Sequence, residues 1–248
     1  MRVLVMGSLN YDFVYEVDHI YRPGETIESL SLETYYGGKG LNQAIALGKA
    51  GVQVYIAGLV GEDGESLRNC CKEHGIDTAY LKTVKGKSGH AVIQVDKNGQ
   101  NSILLYGGAN RSQRKENIDE VLDNFQAGDI LLLQNEINQL EYIIDKAWER
   151  KMTIVLNPSP INKELCSYDL SQISVLLLNE IEGEELTGAA KPEDMINALK
   201  KKYRNTDIVL TLGERGALCS FRNEIVYEPS KKVEAVDTTA AGDTLFTD

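Results

Sequence analysis

Three stretches of the chain space their apolar residues as an amphipathic helix does. The stripes are Ile118, Val121, Leu122 and Phe125, then Leu140, Ile143, Ile144, Ala147 and Trp148, then Met195, Ile196, Leu199 and Tyr203. Residues three and four positions apart lie on the same face of an α-helix. Each pattern therefore predicts a helix that buries one apolar stripe.

Short apolar runs lie around these helical patterns, at residues 3–6, 130–134, 153–156, 174–178 and 207–212. They are too short for helices and are typical of strands buried on both faces. Strands that alternate with helices predict an α/β fold, with a mostly parallel central sheet and helices on both of its faces. In such folds, ligands bind at the carboxyl ends of the strands.

Two segments, residues 11–36 and 88–106, depart from that alternation. The second segment alternates apolar and polar residues over 90–95 and has a turn at 96–99, which predicts a β-hairpin. We expect the two segments to form a small antiparallel β lid. The main α/β domain would then consist of residues 1–10, 37–87 and 107–248.

Composition and charge exclude several classes of function. The chain has 26 Lys and Arg against 37 Asp and Glu, a formal net charge of −11, which argues against non-specific nucleic-acid binding. Its longest aliphatic runs fall far short of the roughly 18 apolar residues that a membrane helix requires. No apolar leader follows Met1, so we expect a cytoplasmic protein without membrane partners.

The cysteines and histidines of the chain are not spaced as in a metal site or a catalytic triad. The four cysteines, at positions 70, 71, 166 and 219, show no C-x-x-C spacing, which favours free, mostly buried thiols. The three histidines show no spacing typical of a metal site. Any chemistry therefore has to come from carboxylates, amides and backbone groups.

A glycine cluster, Gly37-Gly38-Lys39-Gly40, runs directly into a helical stretch that begins Leu41-Asn42-Gln43-Ala44. Glycines before a helix let backbone N–H groups approach an anionic or hydroxyl-rich ligand. Gln43 breaks the dinucleotide-binding pattern, which needs glycine or alanine there. The alternative is a tight turn that closes on a packed helix.

The segment Ala240-Ala241-Gly242-Asp243 places small residues and a carboxylate at the start of a predicted helix. Phosphoryl transfer needs amide groups that hold the transferred group's charge and a base that deprotonates the attacking hydroxyl. Asp243 is the best candidate base in the chain. The alternative for Asp243 is a helix-capping role.

Polar residues follow the predicted strands of the sheet. They are Asn10, Asp12, Glu136, Asn157, Asn179 and the Thr211-Leu212-Gly213 turn. Together they predict a row of hydrogen-bonding groups along one sheet edge, where a polyol and a nucleotide would lie end to end. Asn179 and Glu182 are spaced either as a helix-capping pair or as residues that arrange the water shell of a magnesium ion.

These motifs, in this order, resemble those of the ribokinase-like, or PfkB, carbohydrate kinases. Residues 37–44 match the N-terminal signature of that family and residues 237–243 its C-terminal signature, and both are most similar in form to the ribokinase branch. The resemblance also covers residues 7–12, 157–160, 179–182 and 211–216, and so extends over essentially the whole chain.

The resemblance implies a fold, an activity and a set of site residues. It implies a ribokinase-like kinase that transfers the γ-phosphate of ATP to the primary hydroxyl of D-ribose, and a homodimer formed through the lid. The implied sugar site is Asn10, Asp12, Gly38, Lys39, Asn42 and Glu136. Asp243 is the implied base, which also contacts the sugar, and Ala240, Ala241 and Gly242 are the implied anion hole.

The resemblance likewise assigns residues to the nucleotide and the cations. The implied nucleotide site contains Asn179, Thr211, Gly213 and Gly216. Glu182 would arrange magnesium through water, and Asp237 and Thr239 would contribute to a potassium site. Family members ordinarily continue beyond the helix that Asp243 begins, so we expect the C-terminal end of this domain to be truncated.

Three other functions remain open at the level of sequence. A kinase of the same family could act on fructose, another sugar or a nucleoside. A non-catalytic sugar-binding protein would keep the fold but lack the nucleotide half. A nicotinamide-dependent oxidoreductase would need the glycine fingerprint that Gln43 interrupts.

Overall fold

The computed structural model describes residues 1–222 and 224–230. The helices are α1 (Lys39–Lys49), α2 (Glu65–Glu73), α3 (Lys115–Leu122), α4 (Leu140–Glu149), α5 (Glu180–Thr187) and α6 (Pro192–Lys202). The strands are β1 (Val3–Met6), β2 (Asn10–Val17), β3 (Ser31–Gly37), β4 (Val54–Val60), β5 (Asp77–Thr83), β6 (Gly89–Asp96), β7 (Asn101–Tyr106), β8 (Ile130–Gln134), β9 (Thr153–Asn157), β10 (Val175–Asn179), β11 (Asp207–Thr211), β12 (Ala217–Phe221) and β13 (Glu224–Glu228).

A nine-stranded sheet runs through the molecule in the order β13-β12-β11-β10-β9-β8-β1-β4-β5. Every pairing from β11 to β5 is parallel, and β12 and β13 add an antiparallel edge. Helices cross between the parallel strands, as a parallel sheet requires. The predicted α/β fold with a mostly parallel sheet is confirmed.

The core lies on both faces of this sheet. Along β1, Leu4 and Met6 belong to one apolar cluster, and Val5, between them, belongs to a second cluster with α1 and α2. Side chains of a strand alternate between the two faces, so β1 is buried on both. The predicted stripes of α3, α4 and α6 pack into the first cluster, except that Trp148 is 52% exposed. Ala147 takes the core-facing position at that end of α4 instead.

A second sheet of four strands has the order β3-β2-β6-β7. The predicted hairpin is present, since β6 and β7 pair antiparallel around the turn that begins at Asp96. β2 and β3 also pair antiparallel. β2 and β6, however, pair in parallel, so the small sheet is mixed and not wholly antiparallel as expected. The reason is that β2 and β6 both leave the large sheet in the same direction.

The chain passes between the two sheets four times, and the crossings are linked by backbone hydrogen bonds. Leu41 N–H donates to the Ser8 carbonyl at 3.0 Å, and Ala109 N–H donates to the Lys87 carbonyl at 3.0 Å. The crossings lie over the carboxyl end of β1. They bring the residues predicted for the sugar to one place.

In residues 1–222 and 224–230, no helix has the length and apolar character needed to cross a membrane. The same residues contain no cluster of three or more His, Cys, Asp or Glu arranged to hold a metal ion.

Candidate active site

The turn into α1 is built on a glycine with a left-handed backbone. Gly38 has φ of +92°, and a Cβ there would lie 3.0 Å from the Ser8 carbonyl oxygen and 3.1 Å from Asn10 N. Only glycine adopts this conformation in this space without strain. The turn therefore brings the first turn of α1, which contains Lys39 and Asn42, to the carboxyl end of β1.

Glu136 lies two residues beyond β8 and is held by two donors from distant parts of the chain. The Ser8 hydroxyl donates to Glu136 Oε2, and the Lys39 N–H donates to the same oxygen at 3.0 Å. The Ser8 Oγ in turn accepts from Gly40 N–H at 3.3 Å. The carboxylate is thus oriented by α1 and by Ser8, two residues beyond β1, which prepares it for a ligand.

The carboxyl group of Asp12, on β2, has a pKa well above its ordinary value. Burial, and to a lesser extent the nearby Glu136 carboxylate, raises the pKa of Asp12 from 3.8 to about 6. A charged carboxylate loses hydration on burial, and a second negative charge repels it. The Asp12 carboxylate also lies against Gly37, where an added Cβ would approach Oδ2 to 1.9 Å. Glycine at position 37 leaves the room that this carboxylate occupies.

Asn10, the first residue of β2, is buried and paired with Asn110. The Asn110 amide donates to Asn10 Oδ1 at 2.7 Å and to the Leu9 carbonyl at 3.3 Å. Asn110 Oδ1 accepts from Leu9 N–H at 3.1 Å. Asn110 belongs to a short 3-10 turn, Gly108–Arg111, which follows β7 and leads back to the large sheet.

Of the residues predicted for the sugar, Asn10 and Glu136 line a cavity of about 180 Å³ between the two sheets, and Asp12, Gly38, Lys39 and Asn42 are not part of its lining. The cavity is lined by Asn10, Leu105, Gly107, Asn110, Arg111 and Glu136. The lining combines one apolar side chain with amide, guanidinium and carboxylate groups. Such a mixture suits a small polar ligand with several hydroxyl groups.

The residues predicted for the nucleotide lie farther along the same sheet edge. Asn179 and Thr211 are register partners at the ends of β10 and β11. Asn179 Oδ1 accepts from Glu182 N–H, and Glu182 Oε2 accepts from Asn179 N–H, both at 2.9 Å. The capping pair is therefore present. A magnesium-associated role for Glu182 stays a prediction.

A glycine turn follows Thr211 and leads into β12. Gly213 is exposed with φ of +59°, and Gly216 has φ of +101°. A Cβ at Gly216 would lie 2.0 Å from the Glu228 carbonyl oxygen, so the turn packs closely against the chain after β13. Asn157, at the end of β9, accepts from Ser159 N–H at 3.1 Å and acts here as a turn residue.

The spacing of the strands separates the two groups of residues. Adjacent strands lie about 4.8 Å apart, so the three steps from β8 to β11 span roughly 14 Å. That is enough for a sugar near Glu136 and a nucleotide near Thr211 to lie along one edge. The residues predicted for catalysis and potassium, Ala240, Ala241, Gly242, Asp243, Asp237 and Thr239, lie outside the described residues.

Several residues that contribute to this site were not predicted from the sequence, among them Leu105 and Gly107 of the cavity lining. Ser8, Asn110 and Arg111 contact or line it, and Gly89 packs against both Asn10 and Asn110. The only signal for Asn110 was its place after Gly107-Gly108, where the alternation of the hairpin stops. Its partners lie 100 positions away in sequence, and no local pattern reveals such a pairing.

The model of the pfkB family carbohydrate kinases matches residues 1–246 of the chain. The chain belongs to the pfkB carbohydrate kinase family. It is similar to the ribokinase of Haemophilus influenzae (strain ATCC 51907 / DSM 11121 / KW20 / Rd), at 34% identity over 97% of this chain and 81% of that relative. It is equally similar to the deoxyribokinase of Salmonella typhi, at 34% identity over 99% of this chain and 83% of that relative.

A solved structure of a family member agrees with the fold. The structure of Arabidopsis thaliana ribokinase complexed with ribose and ATP superposes with a TM-score of 0.83, at 28% identity, over 99% of this chain and 83% of that one. As a pfkB carbohydrate kinase, the protein is a phosphotransferase with an alcohol group as acceptor.

Proposed function

We propose that this protein transfers the γ-phosphoryl group of ATP to the primary hydroxyl of D-ribose. Two findings support the proposal: the family is one of carbohydrate kinases, and a relative at 28% identity has been solved with ribose and ATP. The proposal rests on one observation above the others, the polar cavity between the two sheets.

The size and lining of that cavity favour a monosaccharide. Pockets for drug-sized ligands usually measure about 300–1,000 Å³, whereas this one measures about 180 Å³. A volume of about 180 Å³ has room for a free pentose. Asp12 and Glu136 would accept hydrogen bonds from hydroxyl groups, and the amide groups of Asn10 and Asn42 and the N–H groups around Gly38 and Lys39 would complete the polyol site.

Catalysis on the bound sugar requires a base and a group that stabilises the transferred phosphoryl. We assign the base to Asp243 and the anion hole to the N–H groups of Ala240, Ala241 and Gly242, on the resemblance to the family signature. Asp243 would deprotonate the attacking hydroxyl while the amides hold the developing charge. Together these groups would supply the positioning and charge stabilisation that phosphoryl transfer needs.

The nucleotide and the cations would occupy the other end of the same edge. We propose that Asn179, Thr211, Gly213 and Gly216 contribute to the ATP site. Magnesium, held partly through water by Glu182, would neutralise phosphate charge. Potassium would bind near Asp237 and Thr239. Glu182 lies beside the carboxyl end of β10, and a carboxylate there suits the water-rich coordination that magnesium prefers.

We also propose that the small sheet, from residues 11–36 and 88–106, acts as a lid and as the contact between two subunits. Its two outer strands, β3 and β7, expose seven large apolar side chains. The exposed residues are Leu32, Tyr35, Tyr36, Ile103, Leu104, Leu105 and Tyr106. A second copy that covered this surface would bury it from water.

The substrate assay compares sugars that differ in single features. ADP release is measured with ATP, magnesium and potassium on D-ribose, 2-deoxy-D-ribose, fructose and adenosine. We expect the highest kcat/KM with ribose. A higher value with 2-deoxyribose would instead assign the activity of the equally similar deoxyribokinase. Sugar binding without turnover on any acceptor would favour the non-catalytic alternative.

The dimer has its own test. Leu104, 69% exposed on β7, is changed to Asp, and the molar mass in solution is measured by light scattering. The matched control is Ile181→Asp on α5, which is 71% exposed but far from the small sheet in the fold. We expect the native protein and the control to be dimers and Leu104→Asp a monomer. A native monomer would contradict the proposed dimer.

A further inference from the structure

The amide of Asn110 has only one possible orientation. Its Oδ1 accepts from the Leu9 N–H at 3.1 Å, and its Nδ2 donates to the Leu9 carbonyl at 3.3 Å. A backbone N–H is always a donor and a carbonyl always an acceptor, so the peptide of Leu9 decides which atom of Asn110 is which. If the amide were rotated by half a turn, its NH2 group would face the Leu9 N–H, donor against donor, and its oxygen would face the Leu9 carbonyl, acceptor against acceptor.

The orientation of the Asn110 amide in turn fixes the orientation of the Asn10 amide. The second hydrogen of Asn110 Nδ2 points to the side chain of Asn10 at 2.7 Å, so the atom of Asn10 that faces it has to be Oδ1. An amide has one carbonyl oxygen and one NH2 group at opposite ends. With Oδ1 bound to Asn110, Asn10 turns its NH2 group away from Asn110, and Asn10 lines the sugar cavity.

Packing holds the two amides in this arrangement. Asn10 is 3% and Asn110 is 2% exposed, so neither can exchange its partner for bulk water. Gly89 lies against both of them, and a Cβ there would approach Asn10 Oδ1 and Asn110 Nδ2 to 2.2 Å. A buried amide that loses a hydrogen-bond partner is costly, which makes the chain of three bonds a stable unit.

We propose that Asn110 is a positioning residue for sugar recognition: it sets Asn10 to present a hydrogen-bond donor to an oxygen of the acceptor sugar. The proposal rests on the proposed function, because the sugar role of Asn10 belongs to it. Asp12 and Glu136 are acceptors, so a donor beside them lets one hydroxyl both donate and accept. Asn110 itself follows β7, so the same residue joins the small sheet to the sugar site.

The decisive experiment uses a matched pair of asparagines. Asn138 makes the same two backbone bonds as Asn110, since it accepts from Gln113 N–H and donates to the Gln113 carbonyl, both at 2.9 Å, with no bond to Asn10 among its contacts. Asn110→Asp and Asn138→Asp each replace the donor with an acceptor of the same shape. Thermal unfolding measures their shared cost, and calorimetric titration with D-ribose measures the dissociation constant.

We expect Asn110→Asp to raise the ribose dissociation constant at least tenfold and Asn138→Asp to leave it within twofold. In Asn110→Asp, Asn10 would turn its NH2 group to the new carboxylate and its oxygen to the cavity. Equal effects of the two variants on ribose binding would overturn the proposal. If the unchanged protein binds ribose, that result leaves the proposed function standing. If it binds no sugar, the proposed function fails and the inference fails with it.

A second variant covers the case in which Asn110→Asp does not fold. Asn10→Asp keeps an acceptor for Asn110 and removes only the donor that faces the cavity. We expect a folded protein with ribose binding at least tenfold weaker, and ribose binding equal to that of the native protein would overturn the proposal. In an Asn10→Ala background, adding Asn110→Asp should leave the ribose dissociation constant unchanged, since Asn110 acts through Asn10. An additive loss would contradict it.

Discussion

The two halves of the proposed site are built in different ways. The sugar half comprises Asn10, Asp12, Gly38, Lys39, Asn42 and Glu136, and the nucleotide half comprises Asn179, Glu182, Thr211, Gly213 and Gly216. In the sugar half, the bonds of Glu136 reach residues 128 and 97 positions away, and Asn10 is bonded across 100 positions. In the nucleotide half, Asn179 and Glu182 bond to each other across three positions.

From this difference we infer that the two proposed ligands would be recognised by different means. A small neutral sugar offers only hydroxyl groups, so discrimination requires buried polar groups that are fixed before the sugar binds. A nucleotide is large and charged, and exposed backbone turns with a few local side chains suffice to hold it. Changes in the sugar half should therefore act on sugar affinity, and changes in the nucleotide half on ATP and magnesium.

The largest expected effect is on the rate of the chemical step, with little effect on the binding of either ligand. Asp243→Asn should lower kcat by about 10²–10⁴-fold, the usual contribution of a general base. Ribose affinity should stay within about threefold, because most of the proposed sugar contacts come from other residues. Steady-state kinetics and calorimetric titration measure the two quantities. The control is Asp169→Asn, which changes an aspartate that caps a short 3-10 turn through Ser171 N–H. Near-native turnover in Asp243→Asn would remove it as the base.

The next effect is a pH dependence confined to the sugar half. The pKa of Asp12 is raised to about 6 by burial and by the charge of Glu136. Below that pH the carboxyl is protonated and cannot accept from two hydroxyl groups. The ribose dissociation constant should therefore be flat above pH 7 and rise by up to about tenfold per pH unit well below pH 6. The magnesium–ATP dissociation constant should not follow the same curve, and a flat ribose profile from pH 5 to 8 would refute this reading.

The ionisation of Asp12 should have opposite effects on the free energy of unfolding and on ribose binding as the pH changes. The folded-state pKa lies above the unfolded value of 3.8, so the folded state binds the proton more tightly. The contribution of Asp12 to stability is therefore greatest at low pH and is lost as the pH rises through about 6. Asp12→Asn should raise the melting temperature at pH 8 while it weakens ribose binding. A lower melting temperature at pH 8 would show that ionised Asp12 stabilises the fold.

A smaller effect is expected from Gly89→Ala. The added methyl group would collide with Asn10 and Asn110 at 2.2 Å, so at least one amide has to move. KM for ribose should rise about tenfold, the cost of one hydrogen bond to the sugar, while KM for ATP is unchanged. The control is Gly183→Ala on α5 in the nucleotide half, where the nearest atom is the flexible Met195 sulfur at 3.0 Å. If Gly89→Ala raised KM for ATP and left KM for ribose unchanged, Gly89 would act on the nucleotide half and the prediction would be wrong.

The fold was largely predictable because its signals are local. Apolar stripes and runs predicted the central strands and three of the helices, and turn residues predicted the hairpin at Asp96. Trp148 shows the limit of periodicity: it is on the stripe by spacing but 52% exposed, because Ala147 faces the core at that end of α4. The parallel pairing of β2 with β6 is a tertiary feature that neither strand's pattern contains.

The roles of the site residues were likewise predictable where their contacts are local in sequence and unpredictable where they are not. The capping pair of Asn179 and Glu182 was visible as one of two readings of their spacing, since both partners lie in one helical turn. Ser8 and Asn110 were invisible, since their roles depend on partners about 100 or more positions away. The sugar half is therefore the part where sequence motifs name the contact residues and only the fold reveals what orients them.

The smallest effects are expected from two substitutions that separate the roles of Asn179 and Glu182. Asn179→Ala removes the acceptor for Glu182 N–H, and losing such a cap costs about 1 kcal/mol of stability, a fall of roughly 2–4 °C in melting temperature for a chain of this size. Glu182→Gln keeps an oxygen that accepts from Asn179 N–H, so its melting temperature should be unchanged. It removes the negative charge, however, so the magnesium concentration for half-maximal activity should rise severalfold. If Glu182→Gln instead lowers the melting temperature with no change in the magnesium requirement, Glu182 serves the cap alone, and the nucleotide half holds its cation through other residues.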